Sequence, residues 1–199
     1  MTRDEIYRQL VRAFRRYCGV PSSGTQSLVP ATISAGKMYE AHVLSLIVEK
    51  LVTREGYSLI LAGGNKLQLK SAPGPINRTY PRIELRRSGV CVAELWTDVE
   101  FLSLSHASCR SVTLTKGDYH ELDLIIVGPG QQGRPRHDSV WLGVECKNTG
   151  YQKGLLKEIL GIRREVSLLT DNRPTRFSSW PRSSVPADPL GPACLVDRR

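Results

Sequence analysis

Residues 121–127 read ELDLIIV and residues 140–148 read VWLGVECKN, with GPGQQGRPRHDS between them. Both runs are rich in aliphatic residues and the connection carries the Gly and Pro of a loop, so the pair predicts a β-hairpin. With the loop centre near Arg134, Asp123 falls across from Glu145. Directly opposed side chains in an antiparallel pair have Cβ atoms about 4.5–5.5 Å apart, from which two carboxylates can share one divalent cation. Without a cation they repel. Lys147 lies two residues beyond Glu145, so strand alternation puts it on the same face, while Cys146 points away. Acid, acid and lysine clustered at the ends of apolar strands suit phosphodiester hydrolysis. Hard oxygens hold Mg²⁺, the metal polarises the phosphate and acidifies a water, and a lysine orients that water or steadies developing charge.

Upstream, Thr2 and Glu5 have capping-box spacing, and Ile6, Leu10, Phe14 and Tyr17 recur at helical intervals, which predicts an amphipathic helix over 3–17 ended by Gly19 and Pro21. Arg8, Arg12, Arg15 and Arg16 share its other face, a solvated row or a track for phosphates. A second helix is expected over 36–52. Glu40 lies on the same stripe as Leu44, Ile47, Val48 and Leu51. A carboxylate aimed inward costs several kcal/mol unless paired, hydrogen-bonded or bound to a cation; the alternative is a first-turn Glu complementing the helix dipole. Gly36-Lys37 does not make a phosphate loop, because positions 31 and 38 are Ala and Met.

The stretch 57–69, YSLILAGGNKLQL, predicts strand, Gly-Gly turn and strand, and further β-like runs lie around RIEL, GVCVAEL and DVEFLSL within 82–104. Asp98 and Glu100 alternate onto one face there and are expected on an edge strand. Leu155, Ile159, Ile162, Val166 and Leu169 predict a helix over 152–170, with Lys153, Lys157 and Arg164 on another face. From Asn172 the prolines exclude a continuous helix, and only 193–196 has the character of a short strand. The expected organisation is a helix over 1–20 beside the core, a domain over 36–171, and a Pro-rich tail over 172–199.

The order of these features resembles the PD-(D/E)XK nuclease superfamily. Its D…(D/E)xK signature is matched by Asp123 followed by Glu145-Cys146-Lys147, and its helix Glu by Glu40 in GKMYE. The usual Pro before the Asp is absent, with Leu122 in its place. The resemblance covers about residues 36–170 and implies an α/β fold with a restriction-endonuclease-like αβββαβ core, a mixed central sheet flanked by helices. It implies Mg²⁺ or Mn²⁺ bound by Glu40, Asp123, Glu145 and the backbone carbonyl of Cys146, with Lys147 as catalytic partner and Gln152 near the substrate. The expected activity is nuclease, endonuclease ahead of exonuclease, on DNA ahead of RNA, in restriction or other defence. A homodimer, or a partner completing the sheet, fits this expectation. The alternative is a non-catalytic nucleic-acid-binding or assembly module that keeps the fold.

Bulk properties agree with a polyanionic partner. Lys and Arg outnumber Asp and Glu by 28 to 19, for a formal charge of +9, which attracts nucleic acid at long range. The five cysteines form no zinc-ligand spacing. The first residues are charged and no stretch is apolar enough for a bilayer, so no membrane partner and a cytoplasmic location are expected.

Overall fold

The computed structural model describes residues 2–26, 34–66, 69–70, 72–109, 113–148, 153–166 and 193–196. Helix α1 spans Arg3–Cys18, and its capping box is complete: the Thr2 hydroxyl accepts from the Glu5 N–H at 3.3 Å, and the Glu5 carboxylate accepts from the Thr2 N–H at 2.6 Å. Gly19 ends it in the left-handed region, φ 65°, which Gly adopts without a Cβ penalty. A short α2 spans Ser22–Gln26, and α3 spans Ala35–Thr53, capped by the Ser34 hydroxyl, which accepts from the Lys37 N–H at 3.2 Å. Leu10 and Phe14 of α1 are fully buried with Leu44, Val48 and Leu51 of α3. Each such side chain contributes about 1.5–3 kcal/mol on leaving water.

Six strands form one sheet in sequence order: β1 Ser58–Ala62, β2 Arg82–Arg87, β3 Val90–Leu102, β4 Tyr119–Val127, β5 Val140–Lys147 and β6 Ala193–Val196. The first five are antiparallel neighbours, and β6 runs parallel to β5. A six-residue helix α4, Leu104–Cys109, precedes β4, and α5 spans Lys153–Val166. Both faces of the sheet are covered. Leu124, Ile126, Leu142 and Val144 pack under α1 and α3, whereas Ile125, Val127 and Val140 join Ile162 and Val166 of α5. The fold is therefore α/β with a mixed sheet between helices.

The hairpin has the expected register, with Leu124 opposite Val144 and Ile125 opposite Gly143. Three expectations differ. No strand lies between Gly64 and β2 among the described residues, residues 67, 68 and 71 lying outside them; β1 pairs with β2. The Gly63 α-carbon hydrogen faces the Tyr80 carbonyl, which a Cβ would meet at 2.5 Å, so the turn lies against the approach to β2. The runs GVCVAEL and DVEFL form one long strand, β3. Its second half has left β2 behind and is bordered by Gly74, whose N–H donates to the Asp98 carbonyl at 3.2 Å and whose carbonyl accepts from the Glu100 N–H at 3.0 Å. Finally, β3 at Asp98 lies inside the sheet, with β4 on one side and Gly74 on the other, and not at an edge. Gln152, residues 167–170 and the Pro-rich tail apart from 193–196 lie outside the described residues.

Alternation breaks at one level of the sheet. Ala93 and Leu95 face α1 and α3, but Val99 and Phe101, four and six residues beyond Leu95, face α5. On β4, Leu122 faces α5 while Leu124 faces the other layer. The two strands turn over together, since Thr97 pairs with Leu124 and Val99 with Leu122. Asp98 and Asp123 are the residues skipped between those pairs, and Asp98 has φ 50°. A non-Gly residue in that region carries a cost of about 1–3 kcal/mol that its surroundings must hold in place.

Candidate metal centre

Four elements converge where the pleat turns over. The N-terminal half of α3 supplies Lys37 and Glu40, β3 supplies Asp98, β4 supplies Asp123, and the end of β5 supplies Glu145 and Lys147. The turnover explains why two neighbouring strands deliver a carboxylate at the same level. Glu40, Asp98 and Asp123 each place one carboxylate oxygen within 4.8 Å of the others. Glu40 and Asp123 are thus brought together as expected from sequence. Glu145 stands outside that group. Its carboxylate pairs with Lys147 Nζ at 2.7 Å, and Lys147 also reaches Glu158 of α5 at 3.2 Å.

Asp123 is oriented by the backbone: its Oδ2 accepts from the Cys146 N–H at 2.5 Å. Lys37 Nζ donates to Glu40 Oε2 at 2.7 Å and also to Asp98 Oδ1. Asp98 is 4% exposed, and its Oδ2 is buried with no hydrogen-bond partner among the described residues. The Lys70 backbone lies near enough to favour its ionised form, though burial wins and its carboxyl is held above the usual range.

Electrostatics follow from burial. Loss of water pushes Glu40 up to about 7, against partial relief from Lys37 and with further repulsion from Asp123 and Asp98. Glu145 is likewise pushed up to about 7 by burial and by the charge of Asp123, with Lys147 opposing. Asp123 is raised by burial, although the Cys146 N–H and Lys37 favour its anion. Burial opposes the charge on Lys37, but hydrogen bonds to Asp98 and Glu40 outweigh it and raise its pKa. Lys147 is raised in the same way by Glu145 and Glu158. Three carboxylates at such distances, one with an unsatisfied buried oxygen, form a hard-oxygen donor set of the kind that Mg²⁺ and Mn²⁺ select. The residues fit a divalent cation.

Glu84, Cys91 and Glu94 form a second group within the same spacing, but its carboxylates are taken. Glu94 accepts two bonds from Arg78, at 2.9 and 2.8 Å, and one from Arg82 at 3.2 Å; Glu84 accepts from Arg86 at 2.7 Å. Guanidinium forks already neutralise it. Near these groups, Glu121 is exposed opposite Glu100, and Trp96 is buried in the core.

Sequence reasoning misses Asp98 and Lys37. Alternation puts Asp98 on a solvated face only if the pleat is unbroken, and a phosphate-loop test of Lys37 takes no account of its spacing of three from Glu40, which brings the two side chains together on a helix. Asp98, one of three acids in the long and otherwise largely apolar run VCVAELWTDVEFL, is the available signal.

Comparison of the chain with protein-family models, curated proteins and solved structures returned no match.

Proposed function

We propose that the chain is a divalent-metal-dependent nuclease with the αβββαβ core of the PD-(D/E)XK superfamily. The observation that carries this reading is the convergence of Glu40 from a helix, Asp123 from one strand and the Glu145–Lys147 pair from the next, at one level of the sheet. The order α3, β3, β4, β5, α5, β6 supports the core, with β1 and β2 extending the sheet beyond β3. The parallel pairing of β6 with β5 supports it further.

Glu40 and Asp123 hold the ion together with a third carboxylate. A bound Mg²⁺ or Mn²⁺ supplies Lewis acidity toward a phosphate oxygen and lowers the pKa of a water. The Cys146 N–H fixes which oxygen of Asp123 remains free for this work. Glu145 and Glu158 hold the Lys147 ammonium protonated beside the cluster, where it meets the negative charge of a phosphodiester without reorganising. DNA ahead of RNA is the proposed substrate, the net charge of +9 supporting a polyanion.

The alternative is a non-catalytic nucleic-acid-binding or assembly module, favoured by one observation: Lys37 already neutralises part of the acidic cluster from within. Labelled single- and double-stranded DNA and RNA, incubated with Mg²⁺, Mn²⁺ or EDTA, separate the two. Metal-dependent cutting that is lost in Asp123→Ala and Lys147→Ala is the expected result. Absence of cutting under every condition, with no stabilisation by metal, leaves the binding module.

A further inference from the structure

We propose that a divalent cation enters this centre by displacing Lys37, and that Asp98, in place of Glu145, is the third carboxylate that receives it. The inference rests on the reading of the cluster as a metal site and specifies how that site is filled.

Charge and space both point this way. Lys37 Nζ bonds to Glu40 and Asp98, two of the three carboxylates whose oxygens lie within 4.8 Å of one another. The ammonium thus lies where those two acids would present their oxygens to a metal ion, and it is itself a compact point charge. Both cations cannot be held by the same oxygens of Glu40 and Asp98. Asp98 retains an unsatisfied buried oxygen even with Lys37 in place, so the ammonium answers only part of what that carboxylate can offer. A divalent ion takes six or more oxygens and tolerates several carboxylates, and it meets the remainder.

Glu145 is differently situated. Its anion is matched by Lys147, which is in turn held by Glu158 on α5. Recruiting Glu145 to the ion breaks that pair; recruiting Asp98 breaks only the bonds of Lys37, a side chain 25% exposed with solvent to move into. The backbone at Asp98 is fixed at its unusual φ by hydrogen bonds with Gly74 on one side and by the flanking β4 pairs on the other. Its carboxylate is therefore presented by a rigid strand, as a ligand that must not move requires.

Two measurements on the full chain test this, and neither reads nucleic-acid cleavage. In the first, Mn²⁺ binding is followed by calorimetry. Asp98→Asn is expected to weaken binding by at least about tenfold, the scale set by losing a supporting group at a metal site, and Glu145→Gln by less. Lys37→Met is expected to tighten it. Equal affinity in Asp98→Asn and the unaltered chain, or a greater loss in Glu145→Gln, overturns the assignment.

The second needs no variant, which covers the case that Lys37→Met does not fold. Lysines are acylated with an amine-selective reagent in EDTA and in saturating Mg²⁺, and each site is quantified by mass spectrometry. Lys37 is expected to gain reactivity with Mg²⁺ relative to Lys157, which is exposed on α5. Unchanged or reduced labelling of Lys37, in a chain that binds the metal, overturns the exchange. A chain that exchanges Lys37 for Mg²⁺ but cuts nothing retains this inference and loses the nuclease reading; one that cuts while Lys37 stays protected does the reverse.

Discussion

The carboxylate of Asp123 is tied to the backbone of Cys146, Oδ2 to N–H at 2.5 Å, with Asp123 one residue beyond the paired Leu124 and Cys146 two beyond the paired Val144. An Asn at position 123 still offers an oxygen to that N–H but removes one negative charge from a crowded, buried group. Asp123→Asn is therefore expected to melt at or above the unaltered chain in EDTA, while losing the stabilisation that Mn²⁺ gives by binding the folded state. Differential scanning fluorimetry with and without metal checks both halves. A lower melting temperature in EDTA would show that repulsion among the acids is not what governs stability at this position.

Lys147 bridges β5 to α5 through Glu145 and Glu158. Lys147→Met leaves Glu145 buried without its partner, which costs about 1–3 kcal/mol. Adding Glu145→Gln to that variant removes the stranded charge and is expected to recover part of the loss. Urea denaturation of the two variants measures it, and equal stabilities show that the pair contributes little.

Stability without metal has a defined pH dependence. Glu40 and Glu145 hold their protons up to about 7 in the folded chain, against 4.5 ordinarily. Between those values the folded state binds more protons than the unfolded one, so stability falls as pH rises through the window and levels off above it. Divalent cations compete with the same protons, so the stabilisation by Mn²⁺ is small at pH 5 and large at pH 8. Denaturation in EDTA across this range, compared with Glu40→Gln, isolates the effect: the variant's curve is expected to be flatter.

The second acidic group is expected to ignore metals. Arg78, Arg82 and Arg86 occupy the oxygens of Glu84 and Glu94, so Cys91→Ser leaves the Mn²⁺ isotherm unchanged. A shifted isotherm assigns ligands to that group.

Gly143 sits where β5 passes Leu122, and a Cβ there meets Leu122 Cδ1 at 2.6 Å. Leu122 is 1% exposed and has little room to yield. Gly143→Ala is expected to cost about 1–3 kcal/mol by overpacking, read from the midpoint of urea denaturation.

Local pattern carries a good part of the structure. The capping box of α1, the buried aliphatic stripe of α3 and the loop-centred register of β4 with β5 all rest on interactions between residues close in sequence, and each is present in the structure. The inward Glu40 is legible for the same reason. Asp98 is not, because its position depends on a backbone dihedral that only the neighbouring β4 and Gly74 impose. The pairing of β1 with β2 is of that kind too: Ala62 lies against Arg82 at the nearer end, and no short window contains both partners.

The sequential order of the first five strands has a kinetic consequence. Contacts between consecutive strands span fewer residues than the docking of α3 over β4 and β5, and are expected to form earlier. The pairing of β3 with β4 is therefore expected to bring Asp98 against Asp123 before Lys37 arrives to compensate them. On this order the charge at the centre of the sheet is the last to be compensated as the chain folds.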